Sequence, residues 1–255
     1  MLSFQTFGDD AAPPLLIAHG LYGSGRNWGV IAKRLSDIRR VVTVDMRNHG
    51  TSPHLPAHGY PDLADDLAEV IGEIGGPPDL IGHSMGGKAA MALALTRPEL
   101  VRTLLVGDIA PVSYGHTQQP MIDAMRAVDL TRVTRRSDAN AALIALGVEP
   151  GVASFLTQSL DVERKVWRLN LDALSDQMDA IIGFPVFHTR FDRPTLFLSG
   201  GQSDYVQPEH RATIRALFPG ARFAKLPRAG HWLHADDPRG FEASVRAWLE
   251  MQGTA

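Results

Sequence analysis

The pentad Gly82-His83-Ser84-Met85-Gly86 is the part of the sequence best suited to covalent chemistry. A serine flanked by two glycines, with an apolar run (79–81) before it and a helix-like segment (85–96) after it, fits a strand-to-helix turn too tight for larger neighbours. Such a turn exposes the hydroxyl at the edge of a sheet. The helix starting at Met85 aims a free N–H and a positive dipole end at the same point. The chemistry this suits is attack on a carbonyl, with the Met85 N–H as one donor to the developing oxyanion. A second donor is expected from the turn after an earlier apolar run, 15–18, where His19-Gly20 leads to the Leu21 N–H.

A serine hydroxyl needs a base, and ten histidines have to be sorted. His231 follows the last apolar run (222–226) through Pro227-Arg228-Ala229-Gly230 and precedes an amphipathic C-terminal segment, so its loop can carry an imidazole over the sheet edge. His234, three residues on, reads as a group behind the base or a helix cap. His83 is expected to pack under the turn, and His19 and His49 to orient loops. Two acids can orient the base. Asp108 closes the run 103–106, and Asp204 closes the next one in Gly200-Gly201-Gln202-Ser203-Asp204; spacing leaves both open.

A dinucleotide site competes for the first glycine turn. Gly20, Gly23 and Gly25 sit between a strand and a helix, and the next strand ends in Asp45. Their order is G-x-x-G-x-G rather than G-x-G-x-x-G, however, and no tyrosine has a lysine four residues on. The glycines are better read as letting backbone approach a substrate. No H-E-x-x-H occurs and His231 with His234 has no acid cluster, so no metal and no cofactor are expected.

Composition narrows the partners. The 255 residues hold no cysteine, which removes a thiolate nucleophile, disulfides and Cys-based metal sites. A net charge of −3 without a basic run argues against nucleic acid or an anionic membrane surface, and favours a small molecule. The first twenty residues lack a basic segment and carry Asp9 and Asp10 before a short apolar run. No signal peptide and no membrane span are expected, hence a cytoplasmic location.

The elements that must position these groups are visible as periodicity. Short Val/Ile/Leu-rich runs at 15–18, 41–44, 79–81, 103–106, 195–199 and 222–226 are continuous rather than alternating, as strands buried on both faces require. Segments with helical spacing lie between them, including Leu63, Leu67, Val70, Ile71 and Ile74, and later Phe241, Val245, Trp248 and Leu249. The alternation predicts a doubly wound, mostly parallel α/β sheet, with 3–7 as an antiparallel edge strand. Between 112 and 186 buried-strand runs stop and helical ones take over: Met121 to Val128, 141–147, and one long helix over 166–182. This reads as a helical lid inserted between two core parts, 1–111 and 187–255. Met121, Met125, Phe155, Trp167, Met178 and Phe184 are its candidates to line an apolar acyl pocket.

At these residues the sequence resembles an α/β-hydrolase, and within that superfamily the small YbfF-like carboxylesterases and related abhydrolase-domain proteins. The matching stretches are HGLYGSGRNWGVIAKRL (19–35), VDMRNHGTSPH (44–54), DLIGHSMGGKAAMALAL (79–95), VGDIAPVSY (106–114), WRLNLDAL (167–174) and GHWLHAD (230–236). The resemblance implies an esterase or thioesterase with a helical cap, working through an acyl-enzyme on Ser84 with His231 as base. It implies a triad acid after the sixth strand of the family's sheet, here Asp108. Asp204 stands where most other α/β-hydrolases keep their acid, and is the alternative or a helper beside His231. The turn 45–52, with Arg47, Asn48 and His49, resembles a structural turn of the family. The same triad would also serve a cofactor-free perhydrolase or carbon–carbon hydrolase, and some relatives of this fold only bind ligands.

Overall fold

The computed structural model describes residues 1–253. Seven strands form one sheet: β1 (Phe4–Phe7), β2 (Pro14–Ala18), β3 (Arg40–Val44), β4 (Asp79–His83), β5 (Thr103–Gly107), β6 (Thr195–Gly200) and β7 (Ala221–Leu226). Their spatial order is β1-β3-β2-β4-β5-β6-β7. Every pairing is parallel except β1 against β3, the expected antiparallel edge. Continuous hydrophobic runs form the five inner strands, β3, β2, β4, β5 and β6, because both faces are covered. Helices α2 (Tyr60–Ile74) and α3 (Met85–Thr96) close one face, and α1 (Gly29–Leu35) with the C-terminal helix (Pro238–Met251) closes the other. The run 222–226 departs from that pattern. As edge strand β7 it leaves most of its residues half-exposed or exposed, and Arg211 and Arg215 lie over the Phe223 ring.

Between β5 and β6 the chain forms helices α4 (Gln119–Ala127), α5 (Arg136–Ala145), α6 (Pro150–Leu156), α7 (Leu171–Asp176) and α8 (Met178–Ile182). These share a hydrophobic cluster of their own, built on Ile122, Met125, Leu143, Leu156, Leu174 and Met178. The long helix expected over 166–182 is broken. Val166–Trp167 pairs with Leu160–Asp161 as a two-stranded ribbon, and the Asn170 side chain accepts the Ala173 N–H to start α7 afresh. Local capping has overridden the hydrophobic period here.

The order of strands brings four loops to one place. The turns after β2, β4, β5 and β7 all leave the carboxyl edge of the sheet, where ligands of doubly wound folds bind. Ser84, Asp108, Leu21 and His231 lie on those four turns.

Candidate active site

Ser84 sits between β4 and α3 at φ 52°, ψ −119°, a backbone region few non-glycine residues occupy. The flanking glycines are sterically required. A Cβ on Gly82 would lie 2.3 Å from the Gly86 oxygen, and one on Gly86 would lie 2.4 Å from the Ala18 oxygen and 2.5 Å from that of His19. The absence of a side chain at Gly86 lets the start of α3 lie close against the end of β2 and the turn that follows it. Gly20 completes the arrangement, since a Cβ there would meet that of Ser84 at 3.1 Å.

A line of hydrogen bonds runs from the serine into the core. The Ser84 hydroxyl donates to His231 Nε2 at 3.0 Å, and His231 Nδ1–H donates to Asp108 Oδ2 at 2.8 Å. Asp108 is fully buried at φ 49° and also accepts the Gly200 N–H at 2.9 Å and the Ser203 hydroxyl. Three donors thus surround one carboxylate that, among the described residues, has no Lys or Arg beside it. Asp204 is exposed and turns away, accepting from the Gln207 amide at 3.2 Å. Of the two acids left open by spacing, only Asp108 reaches His231.

The two N–H groups expected to hold an oxyanion flank the serine. Among the described residues neither the Leu21 nor the Met85 N–H donates to a protein group. The direction of the Leu21 N–H follows from its peptide plane. The Gly20 carbonyl is held by His19 Nδ1–H at 2.8 Å and the Gly23 N–H at 3.0 Å, so the N–H on the other side of that trans peptide points away from them. His19 Nε2 accepts the Met46 N–H at 2.9 Å. Next in the turn, Tyr22 stands at φ 64° and its N–H donates to His49 Nε2 at 3.1 Å, while His49 Nδ1–H donates to the Arg47 carbonyl at 2.8 Å. Both histidines are therefore neutral and fixed in tautomer. Burial holds their pKa values down, His49 the more strongly because His19 and His58 lie beside it. The turn 45–52 packs as expected, with Asp45 accepting the N–H groups of Gly25 and Thr51, each at 2.8 Å.

The remaining histidines divide by contact. His83 Nε2–H donates to the His231 carbonyl at 2.7 Å, which ties the His231 loop to the serine turn. His234 stacks on Trp28 with centroids 3.9 Å apart, and burial lowers its pKa to about 4, so it stays neutral behind His231. Tyr205 stacks on His231 at 4.0 Å. Sequence reasoning passed over Ser203 and Tyr205, though both flank Asp204 in the turn already singled out, and gave His83 only a packing role.

A cavity of about 360 Å3 opens onto Ser84 and is lined mainly by apolar and aromatic groups from core and helical segment alike. Of the six candidates for an acyl pocket, Met121 and Phe155 line it. Met125 and Met178 are core of the helical segment, the Trp167 indole donates to the Met125 carbonyl at 3.0 Å, and Phe184 packs on Tyr60 and Phe187. Methionines and aromatics at helical spacing have served packing there. Among the described residues no cluster of His, Asp and Glu could hold a metal ion, and no helix is long and apolar enough to cross a membrane.

The model of the alpha/beta hydrolase family matches residues 15–244. The chain is 43% identical over 254 residues to the mouse sn-1-specific diacylglycerol lipase ABHD11, covering 95% of this chain and 82% of that protein. It is 38% identical over 239 residues to the esterase YbfF of Escherichia coli K12, covering 92% of each. Among solved structures, a marine microorganism esterase superposes with a TM-score of 0.91 at 34% identity, covering 97% of this chain and 98% of that one. The chain belongs to the alpha/beta hydrolase family.

Proposed function

We propose that the protein is a serine esterase hydrolysing small carboxylic esters or thioesters through an acyl-enzyme on Ser84. The observation carrying this reading is the unbroken line Asp108–His231–Ser84, at 2.8 and 3.0 Å, ending beside two uncommitted backbone N–H groups. Relatives named esterase and lipase at 38% and 43% identity support it.

In this reading Ser84 Oγ bonds to the ester carbon as its proton passes to His231 Nε2. Asp108 keeps the Nδ1 proton in place and stabilises the imidazolium. The carbonyl oxygen takes the negative charge, and the N–H groups of Leu21 and Met85 bind it. On collapse the carbon–oxygen or carbon–sulfur bond to the leaving group breaks, and His231 returns the proton to the departing alcohol or thiol. Water repeats the sequence on the acyl-enzyme, with His231 first as base and then as acid. The helical segment, 112–186, acts as a lid whose cavity-facing groups enclose the acyl chain. No cofactor takes part.

The test is turnover of chromogenic esters and thioesters of graded acyl length by wild type and Ser84→Ala. The variant is expected to lose about 10⁶-fold in kcat, as when a serine nucleophile that acts as a unit with its base is removed. Unchanged turnover in Ser84→Ala would overturn the reading.

A further inference from the structure

Lys88 lies one helical turn after the nucleophile, its own N–H donating to the Ser84 carbonyl at 3.0 Å, yet its side chain does nothing in the chemistry above. The residue is 1% exposed. Among the described residues its amine pairs with no carboxylate. It crosses instead to the end of α8, donating to the carbonyls of Ile182 at 2.9 Å and Gly183 at 2.6 Å. The Tyr60 hydroxyl holds the preceding carbonyl, Ile181, at 2.5 Å, and the Tyr114 N–H holds that of Ile182 at 3.0 Å. The last carbonyls of a helix have no partners of their own, and a cation is the favoured one. Three consecutive carbonyls of the helical segment are thus fastened to the core, with the amine taking two of them. Ile181 and Ile182 line the cavity that contains Ser84.

We propose that Lys88 is a specificity-determining positioning residue: by tying residues 181–183 to the nucleophile helix it fixes the wall against which longer acyl chains pack. This rests on the esterase reading of the site. The tether is sensitive to protonation, because a neutral amine is a weaker donor to carbonyls than an ammonium. The titratable groups facing the amine are Tyr60 from α2, with its ring 5.7 Å away, and Tyr114 from the loop after β5, at 4.7 Å. Burial raises the pKa values of both, so both stay neutral, and burial lowers that of Lys88 to about 7. Selectivity for longer chains should therefore be greatest below neutrality and decline above it.

The experiment measures kcat/KM for hexanoyl and acetyl esters of one alcohol between pH 6 and 9, in wild type and Lys88→Met. Taking the ratio of the two substrates cancels any pH dependence common to both. In wild type the hexanoyl-to-acetyl ratio should fall through pH 7. In Lys88→Met it should be about tenfold lower at pH 6 and flat with pH, through KM for hexanoyl, while kcat for acetyl holds. A flat wild-type ratio would overturn the proposal even if the variant does not fold, and so would a variant that loses both substrates equally. Hydrogen exchange of the 178–184 amides needs no substrate. Exchange beyond the intrinsic rate should accelerate above pH 7 and in Lys88→Met, and unchanged protection would also overturn the tether. Absence of ester turnover in wild type would instead defeat the esterase reading, leaving the exchange result to judge Lys88.

Discussion

Replacing Asp108 by asparagine gives the sharpest test of the assignment, because the bonds around that carboxylate determine what the amide must do. Gly200 N–H donates to Oδ1, while His231 Nδ1–H and the Ser203 hydroxyl share Oδ2. An asparagine has one oxygen for these two places. The Gly200 donor is backbone and cannot turn round, whereas a hydroxyl and an imidazole can each become acceptors. The amide oxygen therefore faces Gly200 and the NH2 faces His231. The ring then carries its proton on Nε2, where it meets Ser84 as a donor and cannot take the serine proton. A wrong tautomer in an otherwise intact triad lowers kcat by about 10⁴, equivalent to four factors of ten at 1.36 kcal/mol, or roughly 5 kcal/mol. Asp204→Asn, at an exposed residue whose side chain, among the described residues, is bonded to Gln207 alone, should stay within about twofold of wild type. The assay is steady-state hydrolysis of one chromogenic ester, with near-ultraviolet circular dichroism to verify the fold. A larger loss in Asp204→Asn than in Asp108→Asn, or a loss below tenfold in Asp108→Asn, would refute the reasoning.

Two further outcomes follow from the histidines around the turn after β2. His49→Phe removes the acceptor of the Tyr22 N–H and, with the adjoining Leu21 N–H as the proposed oxyanion donor, should lower kcat by about 10² with little change in KM; His49→Gln, which keeps an acceptor there, should recover most of it, and equal losses in the two would count against the loop argument. His58 is buried and neutral, with its pKa lowered by desolvation to about 3, whereas the unfolded imidazole takes a proton near 6.5. Its contribution to stability is complete above pH 6.5 and declines below it, by about 2 kcal/mol at pH 5. Urea unfolding at pH 7.5 and 5.0 should show a smaller pH effect in His58→Gln, and an equal one would contradict the assignment.

The strands and the serine turn were legible because each depends on local pattern. Continuous apolar runs report a two-faced sheet, and the G-x-S-x-G spacing reports a turn whose backbone leaves no room for Cβ atoms. Nothing local separates Asp108 from Asp204. Both follow strands that pair in parallel, β5 and β6, and only the φ of 49° at Asp108 turns one carboxylate inward to the Gly200 N–H. The ribbon at 160–167 was hidden by a helical period that Asn170 interrupts, and the exposure of β7 by its position at the sheet edge rather than its composition. The part played by His83 depends on a carbonyl 148 residues away, a distance over which periodicity says nothing.

The contributions of four separate turns to one site also set an order in time. During synthesis the turn after β2 emerges first, then Ser84, then Asp108, and His231 comes last of all. The 147 residues from Ser84 to His231 take roughly 7–30 s to translate at ordinary rates. Until β7 pairs with β6 and the His83 bond catches the following loop, His231 is not held where it meets the Ser84 hydroxyl. Under the mechanism proposed above, the onset of activity is expected to coincide with the docking of the last strand.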